Sequence, residues 1–523
     1  MVKGERVGFV DTATIHGIEA LPVTVEVSVG SGLPGFHIIG LPDLAVKEAT
    51  RRVRQAIKAS GYKINNALVI VNLAPSSMRK IGSGFDLPIA IAYLLATGQV
   101  EADLITGRLF IGELSLDGKV KAVQGQLAYE SLAKQLGKVL VTGGSRSGVP
   151  ESVNDPSSAV GSAQSGQLCL EHLKDLHQAH FVVMQNVHNQ AAGSSLDYAD
   201  IAGNDTAKRA LQIAAAGEHG LMMIGPPGAG KTMLARRLST ILPPLEQEKR
   251  LESAVIHSVA GLPFAHILAG DRPFRSPHHG ASRAGMIGGG TPIVPGEITL
   301  AHNGVLFLDE LPEFGSSVLQ LLRQPVEMGY VTLARAAGTF TFPAQFMLVA
   351  AANPCPCGFF GDNQRNCSCT PAQISRYIGH IGGPLIDRIS LIVDIRRSAA
   401  ADVLATGHGT SSAELKDGVL AARDFAMWRS SQEHSRVPDA LDALPDSATR
   451  KPVSNEAALL AACKLGAREQ AFLEMAADRY RLSGRGIIST LAVARTIADI
   501  EEKPAVQQEH LMEAIGYRPR GDQ

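Results

Sequence analysis

The chain has 523 residues, 45% of them hydrophobic and 19% charged, and a formal net charge of -1; a chain of this length exceeds what a single core holds and predicts roughly three or four domains. This composition excludes a disordered or fibrous chain, and the neutral balance excludes a global pull toward nucleic acid or acidic lipid, leaving any polyanion site to a local patch. The first residues, MVKGERVGFVDTATIHG, lack the apolar core of a secretory signal, and no window reaches the roughly 18 uninterrupted apolar residues of a membrane span. A cytoplasmic protein without membrane contact is the expectation.

Taken in chain order, the first unit mixes strand and helix signals. VTVEVSV (24 to 30), ALVIVNL (67 to 73) and KVLVT (138 to 142) read as strands, and AVKEATRRVRQAIKAS (45 to 60) places Val46, Ala49, Val53 and Ile57 on one helical face. Residues 143 to 167 are rich in Gly and Ser and read as a loop or linker near a boundary. We therefore divide the chain into an α/β unit over 1–170, a linker over 171–195, an α/β unit over 196–397 and a helical region over 398–523. In the second unit, LMMIG (221 to 225), GVLFLDE (304 to 310), FMLVAAAN (346 to 353) and LIVDI (391 to 395) alternate with helical stretches, the pattern of a parallel sheet. Ala-rich helical segments follow Arg397, and no solenoid repeat is visible.

Gly225-Pro226-Pro227-Gly228-Ala229-Gly230-Lys231-Thr232 is a complete phosphate-loop motif with an apolar strand before it and a helix after it. Glycines let backbone N–H groups close around phosphates, Lys231 reaches the β and γ phosphates of ATP, and Thr232 offers a hydroxyl to Mg²⁺. Downstream, the strand Val305 to Leu308 ends in Asp309 and Glu310. Asp309 is expected to hold Mg²⁺ and Glu310 to orient or deprotonate water.

NPCPCGFFGDNQRNCSC concentrates four of the six cysteines: Cys355, Cys357, Cys367 and Cys369. The spacing is C-x-C, nine residues, C-x-C, tighter within each pair than the usual C-x₂₋₄-C of zinc sites. Four thiolates in a reducing compartment suit a closed, structural zinc site; free thiols, or strained disulfides within a pair, are the alternatives.

The chain resembles the AAA+ ATPases, and more narrowly the ComM/YifB family of magnesium chelatase-like competence proteins. The resemblance is carried by GLPDLAVKEATRRVRQAI, GSGFDLPIAIAYLLATGQV, FRSPHHGASRAGMIGGG, PGEITLAHNGVLFLDELPEF, NPCPCG, GPLIDRIS and VARTIADIE. It implies an AAA+ core with a helical lid, preceded by a Lon-protease-like domain. By the same resemblance Asn353 is the sensor that orients water against the γ-phosphate, Arg388 the arginine finger reaching a neighbouring subunit, and Arg485 the second sensor. A finger acting in trans implies a ring, in the family a homo-hexamer. Arg272, Arg275, His278, His279 and Arg283, close to a Gly288 to Gly290 run expected to be mobile, correspond to a loop facing its channel, where basic groups track DNA phosphates.

The Lon-like domain of the family's wider relatives uses a Ser nucleophile and a Lys base. Here Gly84 stands where the Ser would be and Leu127 where the Lys would be, with Ser83 one position away; loss of peptidase chemistry is expected. The function implied is an ATP-driven motor for helicase or branch-migration work on single-stranded and branched DNA in natural transformation, alongside recombination proteins. Two other readings are an ATPase subunit of a metal-inserting chelatase and a nucleotide-gated assembly module. The fused first domain and the cysteines argue against the former, and intact Glu310, Asn353 and Arg388 against the latter.

Overall fold

Two long strands, β1 (Val7–His16) and β2 (Glu19–Gly30), open the chain as an antiparallel hairpin that runs from Val7 opposite Ser28 to His16 opposite Glu19. The computed structural model describes residues 7–144, 150–153, 167–178, 181–184, 196–335, 338–362, 364–397, 409–434 and 455–518. Strand β3 (Gly35–Ile39), helix α1 (Leu44–Ala59) and strand β4 (Leu68–Ala74) follow, and the sheet order is β1-β2-β4-β3. Val23, Val25 and Val27 of β2 and Val69, Val71 and Leu73 of β4 are buried at the two-residue period that puts one face of a sheet into a core.

Helix α1 starts where the Asp43 side chain accepts a hydrogen bond from Val46 N at 2.8 Å, and it buries Val46, Ala49, Val53 and Ile57 as its spacing predicts. Helix α2 (Asp86–Ala96) is apolar on nearly every side because it lies between that sheet and α1. Its first residue, Asp86, has a fully buried side chain and accepts from Arg52 Nε at 2.7 Å and Nη2 at 3.0 Å. Burial raises the Asp86 carboxyl, and the Arg52 hydrogen bonds oppose that rise.

A second sheet is built from β5 (Arg108–Phe110), β6 (Val139–Thr142), β7 (Pro150–Val153), β8 (Gln167–Cys169) and β9 (Phe181–Met184), with helix α3 (Gln126–Gln135) between β5 and β6. Its order is β5-β6-β8-β9-β7, and this corrects both linker expectations. β7 lies inside the Gly/Ser-rich stretch, and β9 lies inside 171–195 while pairing β8 and β7 antiparallel. The first unit therefore extends through Met184, because ladder hydrogen bonds hold both the PESV segment and the apolar FVVM run in its sheet. The remainder of those two stretches, 145–149, 154–166 and 185–195, lies outside the described residues, as do 179–180.

The second unit contains α4 (Asp205–Gly217), β10 (Leu221–Ile224), α5 (Lys231–Ile241), α6 (Gln247–Val259), β11 (Phe274–Arg275), β12 (Val305–Leu308), α7 (Ser316–Met328), the antiparallel hairpin β13 (Tyr330–Arg335) and β14 (Gly338–Pro343), β15 (Met347–Ala352) and β16 (Leu391–Asp394). The expected parallel sheet is present with order β11-β12-β15-β10-β16, every neighbouring pair parallel. All residues of β12 and β15 are buried, the continuous apolar run of a strand covered on both faces. The Gly288–Gly289 segment pairs with Val294–Pro295, so the glycine run expected to be mobile forms one side of a small ladder.

Among the described residues five helices follow the sheet: α8 (Ser412–His434), α9 (Asn455–Cys463), α10 (Ala467–Tyr480), α11 (Gly484–Ile500) and α12 (Gln508–Gly516). Leu491, Ala494 and Ile497 of α11 share one apolar cluster with Leu211 and Ala214 of α4, so the helical region is packed onto the parallel sheet's layer. The first unit docks on the second at two places: Gly125 N donates to Ser258 O at 2.9 Å, and the His16 ring lies 4.4 Å from that of Phe340 on β14. Among the described residues no helix is long and apolar enough to cross a membrane.

Removing one partner of a buried ion pair leaves the other charge uncompensated, which costs about 3 kcal/mol. Arg52→Ala is accordingly expected to lower the calorimetric unfolding transition of the first unit while nucleotide affinity, set in the other unit, stays at the wild-type value.

Candidate functional site

Adjacent parallel strands end level with one another, and their carboxyl ends deliver the phosphate-site residues to one edge. Gly225 follows β10, Asp309 follows β12 and Asn353 follows β15, with Ile224 opposite Ala352 and Leu308 opposite Ala350. Gly228 and Gly230 have φ of 78° and 87°, the left-handed region that glycine adopts without strain, and Gly230 is the N-cap of α5. The loop's turn thus needs its glycines before any phosphate is considered.

The Lys231 ammonium donates to the carbonyls of Gly225 at 2.6 Å and Pro226 at 3.1 Å and to Asn353 Oδ1 at 3.0 Å. Burial lowers its pKa, and Asp309 and Glu310 oppose the shift. Thr232 Oγ1 donates to Asp309 Oδ2 at 2.6 Å, and Glu310 N donates to Asp309 Oδ1 at 3.0 Å. The structure therefore brings together Lys231, Thr232, Asp309, Glu310 and Asn353. Glu310 itself takes a left-handed backbone, φ 53°, unusual for a residue with a side chain, and its Oε2 lies 3.5 Å from His279 Nδ1. That histidine contact was not legible in the sequence, because the residues are 31 positions apart.

Arg388 and Arg485 lie elsewhere. Ser390 N and Leu391 N both donate to Gly220 O, so Arg388 sits just before the amino end of β16, beside the amino end of β10. Arg485, in the first turn of α11, is held near the same end: Ser489 Oγ donates to Ser390 Oγ at 3.0 Å, and Arg518 bridges Gly486 O and Ile389 O. A four-residue strand alone spans about 13 Å, so both arginines stand at the opposite end of the sheet from the phosphate loop. They meet there on one carboxylate: Arg388 Nη2 donates to Glu327 Oε2 at 2.6 Å and Arg485 Nη2 to Glu327 Oε1 at 2.5 Å. The Arg388 hydrogen bond is the main reason that the Glu327 carboxyl titrates below its ordinary value. Glu327 carries no motif, and no sequence signal pointed to it.

The four cysteines converge as their spacing suggested. Cys355, Cys357 and Cys367 have sulfur–sulfur separations of 3.3, 3.5 and 3.7 Å, and all four sulfurs lie within 4.8 Å of one another. A tetrahedral ion with metal–sulfur bonds of about 2.3 Å needs edges of about 3.8 Å, so this donor set fits one. Backbone N–H groups of Cys357 and Cys369 donate to Cys369 Sγ and Cys367 Sγ, both at 3.4 Å. The Cys357 thiol is pushed down to about 5, chiefly by the backbone N–H groups of Phe359 and Ser368. Cys367, although the Cys369 N–H opposes it, is pushed up to about 12 by burial and the neighbouring sulfurs. A Cβ on Gly358 would stand 2.6 Å from Pro227 Cδ, so the cysteine hairpin lies directly against the phosphate loop.

The basic stretch is less available than expected. Arg272 bonds Glu218, Pro243 O and Asn303 O, and Arg275 makes a two-pronged pair with Glu297 at 2.7 Å in both arms. Both guanidiniums are committed inside the fold, where desolvation without a carboxylate would be costly. His278 stacks on His279 with centroids 4.0 Å apart, and Arg283 is exposed at the start of a short helix.

Three family models cover the chain in sequence order: subunit ChlI of Mg-chelatase at residues 25–143, magnesium chelatase subunit ChlI at 197–403 and the ChlI C-terminal region at 409–518. The chain is 39% identical to the uncharacterized protein YifB of Escherichia coli K12 over 519 residues, which is 97% of this chain and 96% of that protein. It is 38% identical to the competence protein ComM of Haemophilus influenzae over 506 residues, 96% and 95% of the two chains. The chain belongs to the ComM/YifB family. Membership in this magnesium chelatase-like AAA+ family suggests ATPase activity and implies nucleotide and Mg²⁺ use. The residues present fit both: Lys231 and the loop amides for phosphates, Thr232 and Asp309 for the ion.

For this ComM/YifB chain the positions compared with a Ser–Lys dyad are spent on other contacts. Ser83 Oγ donates to Glu113 Oε2 at 2.5 Å. Leu127 packs with Leu245, Ala254 and Ile267 of the second unit, and its N–H points to Ser258 Oγ at 3.3 Å.

Glu310→Gln keeps the side chain's shape and removes its basicity, so ATP hydrolysis is expected to fall about 100-fold while the affinity for a fluorescent ATP analogue stays within about twofold. Lys231→Ala is expected to lose the binding itself, because that ammonium reaches into the loop.

Proposed function

We propose that this protein is an ATP-hydrolysing ring motor that acts on single-stranded and branched DNA, driving branch migration or strand displacement while incoming DNA is integrated. The observation that carries the reading is the placement of Arg388 and Arg485 at the amino end of the sheet, where neither can serve the phosphate loop of its own subunit. A neighbour's phosphate site is then the place for this pair, which favours a closed ring, in the family a hexamer. Bound Mg²⁺ would polarise the γ-phosphate and neutralise developing charge. Glu310 then orients and deprotonates the attacking water, Asn353 fixes its line of approach, and Lys231 moves from the loop carbonyls to the phosphate oxygens. The name of the Haemophilus influenzae relative, a competence protein, supports placing the motor in DNA uptake.

The first unit is read as a Lon-like domain without peptidase chemistry, since Ser83 faces a carboxylate and Leu127 an apolar neighbour. The helical region is read as the lid. The cysteine cluster is read as a structural zinc site that braces the hairpin between Asn353 and the phosphate loop. For DNA contact we retain Arg283 and set aside Arg272 and Arg275, whose charges are already matched. The chelatase reading gains no support from the described residues of the site, whose groups serve phosphate, Mg²⁺ and water.

Three measurements test these statements. Purified protein is expected to displace a strand from forked DNA in an ATP-dependent manner, with ATPase stimulated by the fork; hydrolysis without displacement on any fork or three-strand junction would sink the motor reading. Arg283→Ala is expected to weaken DNA binding evenly across sequences and to reduce the slope of log affinity against log salt by about 1. Metal analysis is expected to find one zinc per chain, and Cys355→Ser to lose it together with about tenfold of nucleotide affinity.

A further inference from the structure

Two guanidiniums from different elements, one before β16 and one on α11, are drawn to a single carboxylate on a third, α7. The carboxylate supplies one negative charge to two positive ones, and the arginines remain partly accessible, Arg485 half exposed and Arg388 at 13%. We propose that Glu327 is a positioning residue for ATP hydrolysis: it holds Arg388 and Arg485 side by side as a two-armed anion clamp for the γ-phosphate bound by the adjacent subunit.

Without an acceptor between them, the two like charges repel. With the acceptor, both Nη2 donors point at oxygens a carboxylate width apart, a spacing that suits the oxygens of a phosphoryl group as well. As negative charge accumulates on the transferring phosphoryl, it outcompetes a single carboxylate for the pair. Glu327 thus acts in the free or loosely assembled state, and the phosphate takes over in the closed interface. The residue also ties the clamp to its own subunit's chemistry. Helix α7 begins six residues after Glu310 and runs to Met328, about 20 Å along its axis, so its first turn neighbours one nucleotide site and its last turn holds the arginines meant for the next.

The proposal rests on the reading of Arg388 and Arg485 as trans-acting, and the experiment separates the two. In full-length protein, Glu327→Gln is expected to lower kcat for ATP about 10-fold to 100-fold, with KM and the affinity for a fluorescent ATP analogue nearly unchanged. Glu327→Asp, which keeps the charge, is expected to restore part of the loss. Glu327→Gln subunits are then mixed with Glu310→Gln subunits, whose own sites are dead but whose arginines are intact. Activity about threefold or more above the mean of the two separate preparations supports the proposal, because whole sites form only where one variant faces the other. Arg388→Ala mixed with Glu310→Gln is the reference. If Arg388→Ala is rescued and Glu327→Gln is not, Glu327 is structural within its own subunit and the proposal is overturned. Wild-type turnover in Glu327→Gln also overturns it. If neither variant is rescued, the trans reading of the arginines fails and takes the proposal with it.

Discussion

Strand register governs this molecule. β12, β15 and β10 are parallel neighbours whose carboxyl ends finish within a residue or two of one another, and Asp309, Asn353 and Lys231 meet only because of that alignment. A slip of two residues in any one strand would keep its side chains on the proper face and move its terminal group by about 7 Å, beyond hydrogen-bond reach. The fully buried faces of β12 and β15 make such a slip expensive, since each residue already has partners on both sides. Core packing and the chemistry of the phosphate edge are thus one constraint seen from two ends.

The opposite end of the sheet is less regular and shows a different logic. The amino-end groups come from loops and helices: Gly220 and Arg388 beside β10 and β16, Arg485 from α11, and Glu327 from the end of α7. Ion pairs do there what strand register does at the phosphate edge. Exposed pairs are weak individually, and under the trans role proposed for Arg388 and Arg485 a weak tie suits side chains that change partners when another subunit arrives. The phosphate edge is preformed, and the arginine end is exchangeable.

Much of this was legible in the sequence because it is local. The phosphate loop, the Asp309–Glu310 strand end and the apolar face of α1 each lie within one short window, and the structure places them as read. The four cysteines converge despite an atypical spacing, because a short hairpin folds the pairs back on each other. What escaped notice is nonlocal. β7, PESV, carries little apolar signal of its own and becomes a strand through pairing, β9, FVVM, is a short apolar run whose partners lie far away in the sequence, and Glu327 takes its meaning from residues 61 and 158 positions away. Arg272 and Arg275 erred in the other sense: their charge was plain, but the carboxylates that consume it were not.

Leu127 sits at the joint between the first and second units. Where a dyad would place an ammonium, this chain has a leucine wedged against Leu245, Ala254 and Ile267, with the adjoining backbone bonded to Ser258. Restoring a lysine there would bury a charge in the joint between two units, a penalty of several kcal/mol with no carboxylate in that apolar group to relieve it. The consequence is mechanical: a charge at this one position would prise the first unit from the second, so the leucine guards the joint between them.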